Sequence, residues 1–270
     1  MIPKVIHYCW FGKKPLPELA IKCIASWKKY CPDYEIIEWN ESNFDLNCCN
    51  YVKEAYEAQK WAFVSDYARF WILYNYGGIY FDTDVELIRD ISDIVEKGPF
   101  IGCEPVNRKL CRVAPGLGIG TFPHHTFFKK VLDYYNNLHF YISKGIYNDT
   151  TIVTHITKLF KNCGYNGDYR VEKVCEIYLY SPEYFCPMDP NTGEIQIKQQ
   201  TRSIHWYSAS WKNSEEQEIH KKAGNIYKRF PNFFGKLLSE SYKITKKFTY
   251  YMKKEGIKNV IRRAKRKFFS

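Results

Sequence analysis

The chain has 270 residues, of which 45% are hydrophobic and 26% charged; that composition excludes wholesale disorder and suits one large domain with an appendage. Its net charge of +11 sits at one end: residues 221–270 hold 16 Lys/Arg against two Glu, which leaves residues 1–220 at −3. This asymmetry excludes a nucleic-acid binder with a basic face throughout.

The opening Met1-Ile2-Pro3-Lys4 holds no apolar run, so no secretory leader is expected there. Residues 4–10 predict a buried first strand, ended by Gly12. Pro15 and Pro17 then open a helix whose Leu19, Cys23, Trp27 and Tyr30 fall on one stripe. Residues 35–39 predict a second strand, and a β–α–β opening implies a parallel sheet. A helical region over roughly residues 51–76 stops at Gly77-Gly78 as at a C-cap. Ile79-Tyr80-Phe81 follows as a short buried strand and runs into Asp82-Thr83-Asp84. Further strands are predicted over 100–104, 117–122, 178–185 and 203–207, and helices over 125–141 and 150–160. From about Asn213 the composition turns to Lys-rich helices, which sets a boundary between a domain over 1–212 and a basic helical tail over 213–270.

The longest uncharged apolar stretch, residues 70–81, is too short to span a bilayer. In the tail, Leu237, Ile244, Phe248 and Tyr251 recur near helical spacing. Ile257, Ile261, Ala264 and Phe268 form a second stripe among Lys258, Arg262, Arg263, Lys265, Arg266 and Lys267. A basic amphipathic helix of this kind is expected to lie on an anionic membrane surface without crossing it. The ten cysteines show no CxxC pair, and predict reduced, mostly buried thiols of a cytosolic protein.

The strongest chemical signal is Asp82-x-Asp84 at the end of a buried strand. Ligands of open α/β sheets sit beyond the carboxyl ends of strands. Two carboxylates there repel each other unless a cation compensates, and a hard ion such as Mg²⁺ or Mn²⁺ carrying a diphosphate meets that need. Asp66 and Arg69, three apart on the preceding helix, share a face and can converge with Tyr80, Asp82 and Asp84 on one polar ligand. Asp66 also reads as the N-cap of a helix starting at Tyr67, with Arg69 as its i,i+3 partner. A third cluster, His205-Trp206-Tyr207-Ser208-Ala209-Ser210-Trp211-Lys212, combines an imidazole able to ligate Mn²⁺ with hydroxyl and indole donors for phosphate; it also reads as a half-buried strand end. Gly116-Leu-Gly118-Ile-Gly120 lacks the last glycine of a dinucleotide loop and reads as tight packing on a strand.

At these residues the sequence resembles a known family. Ile2-Pro3-Lys4-Val5-Ile6-His7-x-x-Trp10-x-Gly12, Trp61-x-x-x-Ser65-Asp66-x-x-Arg69, Leu73-Tyr74-x-x-Gly77-Gly78-Ile79-Tyr80-x-Asp82-x-Asp84 and the segment from His205 to Trp211 are similar to the glycosyltransferases with a DXD-containing sugar-binding region. Bacterial capsular polysaccharide glycosyltransferases are the nearest members by this reading; the yeast initiating α-1,6-mannosyltransferase and clostridial glucosylating toxins are more distant. The resemblance implies an α/β GT-A-like nucleotide-sugar-binding fold with a mixed, mainly parallel sheet, a C-terminal helical tail, and a retaining, metal-dependent hexosyltransferase. The donor would be a nucleotide-sugar, a UDP-sugar in preference to a GDP-sugar, and the cofactor Mn²⁺ or Mg²⁺. Its acceptor would be a glycan or lipid-linked oligosaccharide of capsular or surface polysaccharide synthesis, and its place the cytoplasmic face of the membrane, as a peripheral protein.

The same resemblance implies the roles. Asp84 would bind the metal directly, Asp82 would hold the ribose and reach the metal through water, and His205 would be the late metal ligand. Asp66 and Arg69 would hold donor-sugar hydroxyls and Tyr80 would lie near the ribose. Trp10 would stack on the base, and Ser210 and Trp211 would contact the diphosphate. Two other readings stay open at this point. Aspartate-nucleophile phosphatases also place D-x-D after a hydrophobic strand, although here Val85-Glu86 follows in place of Gly-Thr. A non-enzymatic membrane-surface adaptor would rely on the tail alone.

Overall fold

The computed structural model describes residues 1–107, 109–144, 146–190, 192–208, 214–230, 233–257 and 260. Strand β1 (Val5–Cys9) leads through helix α1 (Glu18–Tyr30) to β2 (Glu35–Trp39), and β1 and β2 pair in parallel with Val5 beside Glu35 and Cys9 beside Trp39. Helices α2 (Asn50–Glu57) and α3 (Trp61–Tyr76) follow. The continuous helical region expected over 51–76 is thus broken, because Gln59 adopts a left-handed φ of 56° and turns the chain. Then come β3 (Gly78–Tyr80), β4 (Val85–Leu87), the short α4 (Ser92–Val95), β5 (Phe100–Pro105) and β6 (Cys111–Val113). A 3₁₀ turn over Pro115–Leu117 precedes β7 (Ile119–Thr121). Helix α5 (Thr126–Asn136), the hairpin of β8 (Tyr141–Ser143) and β9 (Ile146–Tyr147), and α6 (Ile152–Lys161) lead to β10 (Glu172–Val174) and β11 (Ile177–Tyr180). The strand expected over 178–185 ends at Tyr180. Pro182 starts a helical turn, α7 (Pro182–Phe185), as proline does at a first helical position. Strand β12 (Ser203–His205) and helices α8 (Ser214–Arg229) and α9 (Phe233–Glu255) complete the order.

The main sheet has the strand order β10-β11-β5-β7-β3-β1-β2, with β6 beside β5. The pairings set β1, β2, β3, β5 and β11 running one way and β6, β7 and β10 the other. The sheet is therefore mixed and mainly parallel. Its core is a cluster in which Ile6, Cys23, Trp27, Ile79, Phe81, Val85, Phe100 and Phe185 are all but inaccessible to solvent. The helical stripe read in α1 is part of it: Cys23 and Trp27 are fully buried, and the Trp27 indole donates to the carbonyl of Val85 at 2.8 Å. All ten cysteines are free thiols, six of them buried.

The junction of α3 and β3 fixes where the Asp82 segment emerges. Gly77 caps the helix with φ 67° and its N–H bonds Leu73 O at 2.9 Å. Gly78 has φ 94°, and a Cβ there would meet Val5 O at 2.7 Å and His7 Nε2 at 3.0 Å. Buried His7 locks the turn, since Nδ1 accepts from the Trp39 indole at 3.1 Å while Nε2 donates to Gly77 O at 3.0 Å. His7 is thus a structural member of the first motif.

By chain contacts the protein divides into two compact units. One comprises residues 1–141, 148–188 and 195–207, and the other residues 142–147, 189–194 and 208–270. In the second unit α8 and α9 pack together, and Ser239, buried, donates its hydroxyl to Ala223 O at 2.8 Å. The second stripe expected in the tail, Ile261, Ala264 and Phe268 with its basic neighbours, lies outside the described residues.

Candidate active site

Asp66 and Arg69 lie one turn apart in the middle of α3, both buried. The helix runs from Trp61, so Asp66 does not cap it, and the capping reading is set aside. Arg69 Nη2 stands 3.0 Å from Asp66 Oδ1 and 3.2 Å from Asp82 Oδ1. Its Nε donates to Ser65 O at 3.1 Å, and its guanidinium lies 4.8 Å from the centre of the Tyr80 ring. The Tyr80 hydroxyl donates to the same Asp82 Oδ1 at 3.1 Å. One carboxylate oxygen of Asp82 therefore takes two donors, while its side chain remains one-third exposed. The fork of Arg69 is what allows two carboxylates to be gripped at once.

Burial pushes the Asp66 carboxyl up to about 7, against the pull of Arg69 and with the Asp82 charge adding to the rise. Burial likewise drives the Tyr80 phenol well above its usual range. The protonated form of Asp66 is thus within reach at neutral pH, whereas Arg69 stays charged between its two acids.

The second part of the site comes from a strand pair. Strands β12 and β4 run antiparallel with His205 opposite Val85, and Trp206 N–H bonds Asp84 O at 2.9 Å. That register brings His205 Nε2 to 3.3 Å from Asp84 Oδ1. Burial acts to lower the imidazole pKa, but the Asp84 carboxylate outweighs it and the group stands raised to about 10. Next along β4, Glu86 accepts from the Trp206 indole and from Lys22, both at 2.8 Å. These two contacts fasten the segment after His205.

Trp10 follows β1. Its N–H bonds Trp39 O at 2.8 Å and its indole Nε1 donates to Lys14 O at 2.6 Å, so the half-buried ring is held across the Phe11–Lys14 loop. Ser210 and Trp211 lie outside the described residues.

One site residue was not singled out for this role from sequence. Gly116, in the 3₁₀ turn and not on a strand, takes the Asp82 N–H on its carbonyl at 3.0 Å, and a Cβ on it would overlap Asp82 Oδ2. The turn is a backstop that only glycine can form. Its signal in the sequence was the Pro115-Gly116 pair, a turn dipeptide.

The donor set suits a hard divalent ion. Asp84 offers a carboxylate in the turn before β4, and His205 at the end of β12 offers an imidazole once a cation takes the place of its proton; Mg²⁺ or Mn²⁺ sites take one or two protein ligands and complete themselves with phosphate oxygens and water. Among the described residues no three His, Cys, Asp or Glu side chains gather into a closed cage.

Residues 17–101 match the family model described as "Glycosyltransferase sugar-binding region containing DXD motif". That stretch is similar to the sugar-binding region of the DXD glycosyltransferases. The match holds Asp66, Arg69, Tyr80, Asp82 and Asp84; Trp10, Gly116 and His205 fall outside it. Inositol phosphoceramide mannosyltransferase 1 of Schizosaccharomyces pombe is 29% identical over 118 residues, 39% of this chain and 35% of that protein. Mannosyl phosphorylinositol ceramide synthase CSH1 of Saccharomyces cerevisiae is 25% identical over 202 residues, 68% of this chain and 51% of that protein. The chain thus spans about a third of the length of the first relative and about half of the second. Among solved structures, the PaToxG glycosyltransferase aligns over 60% of this chain and 69% of its own, with 19% identity and a TM-score of 0.45.

Proposed function

We propose that the protein is a metal-dependent, retaining glycosyltransferase that moves a hexose from a nucleotide-sugar to a glycan or lipid-linked acceptor. The observation that carries this reading is the buried guanidinium of Arg69, held between Asp66 and Asp82 beneath Tyr80 where β3 ends. Such a cluster presents fixed acceptors and a cation to a polyhydroxylated, anionic ligand.

In this reading Asp84 and His205 hold Mn²⁺ or Mg²⁺. The bound ion would neutralise charge on the departing diphosphate. Asp82, already engaged by Arg69 and Tyr80, is suited to the ribose and to an indirect role beside the ion. Asp66 and Arg69 face the donor sugar, Trp10 stacks on the base, and Ser210 and Trp211 contact the diphosphate. Asp66 is committed to Arg69, and Asp82 to Arg69 and Tyr80; this favours front-face displacement over a covalent intermediate, and it weighs against Asp82 as the free nucleophile of a phosphatase. Residues 1–212 would form the catalytic domain and 213–270 the basic tail. We take a UDP-sugar as the donor, capsular or surface polysaccharide as the product, and the cytoplasmic membrane face as the site of action. The names of the yeast relatives add mannose to the sugars to be tried.

Thermal shift against a panel of UDP- and GDP-sugars with Mn²⁺ tests the proposal, because a bound donor raises apparent stability by mass action. At least one donor is expected to raise the melting temperature in wild type, and Asp84→Asn is expected to lose that shift and all transfer while melting normally on its own. An Asp84→Asn enzyme with near-native turnover in EDTA would sink the metal role.

A further inference from the structure

The turn that carries Trp10 needs support from outside itself. Gly12 has φ 96° and Lys13 φ 57°. A residue with a side chain keeps a left-handed backbone only where its surroundings hold it there. Phe11, buried, packs edge-on against Phe44 of the β2–α2 connection with ring centres 5.8 Å apart, and the Trp10 indole closes the turn on Lys14 O. Gly12 lies so close to Trp61 that an added Cβ would stand 2.6 Å from the indole Nε1. Its N–H donates to Glu41 Oε1 at 2.7 Å.

Glu41 is itself held in place. Asn40 Oδ1 accepts from the N–H and the hydroxyl of Ser42 at 2.8 and 2.7 Å, and Asn43 Nδ2 donates to Glu38 O at 2.8 Å, which ties the connection back to β2. The Tyr56 hydroxyl, near the end of α2, donates to Glu41 Oε1 at 3.2 Å. One carboxylate oxygen thus joins the Gly12 turn, the β2–α2 connection and α2. An ionised acceptor bonds a backbone N–H more strongly than a neutral one does. A carboxylate beside this turn also has a cost for the proposed ligand, since its negative charge repels a nucleoside diphosphate. Its place is accounted for by what it holds. We infer that Glu41 is a positioning residue of the nucleotide site: through Gly12 it sets the turn that aims the Trp10 ring, and it does not itself touch the ligand. The inference rests on the reading of Trp10 as the platform for the base.

Calorimetric titration of the full chain with UDP and with GDP, each with Mn²⁺ and well below the melting temperature of every variant, tests it. Glu41→Met fills the same space without an acceptor, and it is expected to lose about fivefold or more in nucleotide affinity, the low end of what stacking on the ring is worth. Glu41→Gln keeps an oxygen for both donors and should bind within about twofold of wild type. A residue that acts through Trp10 has nothing to act on once the ring is gone, so in a Trp10→Leu background Glu41→Met should change affinity by less than about twofold. A loss of the same size in both backgrounds would overturn the inference, because Glu41 would then serve the nucleotide by a route other than the ring. Undiminished affinity in Glu41→Met would overturn it too. So would tighter binding in both Glu41 variants, the sign of a charge that only repels. Binding of neither nucleotide by wild type would overturn the glycosyltransferase reading and this inference with it; that outcome is read on wild type alone, so the two failures are told apart.

Discussion

No side chain fits at position 116, because the Cα of Gly116 lies against the carboxylate of Asp82. An added Cβ would overlap Oδ2 and stand 3.1 Å from Arg69 Nη1. The same residue takes the Asp82 N–H on its carbonyl, so the Pro115–Leu117 turn fixes both the backbone and the carboxylate of one acid. Asp82 in turn shares one oxygen between Arg69 and Tyr80, and its position is over-determined from three sides.

Gly116→Ala should therefore act on chemistry more than on folding. The strain of an inserted methyl is about 1–3 kcal/mol, within the tolerance of a domain this size. A displacement of Asp82 by about 1 Å at a reacting centre can cost about 100-fold in rate. The expected outcome is a folded protein with turnover reduced by about that factor. Turnover within twofold of wild type would mean that Asp82 does not need its observed position.

Asp66 and Arg69 separate structural from functional roles when the substitutions are chosen by charge. Arg69→Ala leaves two carboxylates facing each other in a buried setting, and breaking a buried pair in this way costs about 3–5 kcal/mol. Its loss of activity would say little. Asp66→Asn keeps the shape of the acid and an acceptor for the guanidinium but removes the ionised form, which at a pKa of about 7 is still populated at neutral pH. We expect Asp66→Asn to melt within a few degrees of wild type and to transfer sugar at least about 100-fold more slowly, because the carboxylate charge near the donor is gone. If transfer simply follows the folded fraction, the pair is part of the scaffold alone.

How much of this could be read beforehand differs along the chain. The path from β1 through α1 to β2, and from α3 over Gly77-Gly78 into the Asp82 segment, was legible because apolar periodicity and glycine stops are local signals. The convergence of Asp66, Arg69 and Tyr80 on that segment followed from helical spacing. The meeting of His205 with Asp84 depends on pairing of two three-residue strands more than a hundred residues apart, and strands that short carry no period of their own. The break at Gln59 has neither glycine nor proline to announce it. The end of β11 was in principle legible, since Ser181-Pro182 opens a helical turn.

Buried His155 gives the protein a specific acid sensitivity. Burial and neighbouring Lys158 push its pKa down to about 4, from an unfolded value near 6.5; Nδ1 meets the Tyr134 hydroxyl at 2.7 Å and Nε2 is buried. Between those two values the unfolded chain binds more protons than the folded one, so this histidine's contribution to stability is fully present above pH 6.5 and is lost as pH falls toward 4. At pH 5 the loss is roughly 2 kcal/mol. Asp66, whose folded pKa is raised, works in the opposite sense, so the informative quantity is the difference between wild type and variant. His155→Gln should lose less stability than wild type between pH 7 and pH 5, by roughly that amount, in urea melts at the two values. Parallel pH profiles would show that His155 is protonated in the folded state as easily as in the unfolded one.

Trp10 offers the sharpest test of the nucleotide reading, because its indole N–H is already spent on Lys14 O and only the ring face is left to offer a ligand. It follows β1 directly, beside the strand that leads into Asp82, where the carboxyl ends of parallel strands place a ligand crevice. Stacking of a base on an aromatic ring is worth about 1–3 kcal/mol, or roughly 5- to 150-fold in affinity. The ring is also half-buried against the core, so Trp10→Ala will cost stability whatever the ring does for a ligand. Trp10→Phe and Trp10→Leu resolve the ambiguity, since both refill the space and only the first keeps a π face. In calorimetric titration with UDP and Mn²⁺ we expect Trp10→Phe to bind within a few-fold of wild type and Trp10→Leu to lose at least fivefold, with the two variants melting at similar temperatures. Equal affinity in the Leu and Phe variants would place Trp10 in the packing of the β1 end and leave the base to another residue.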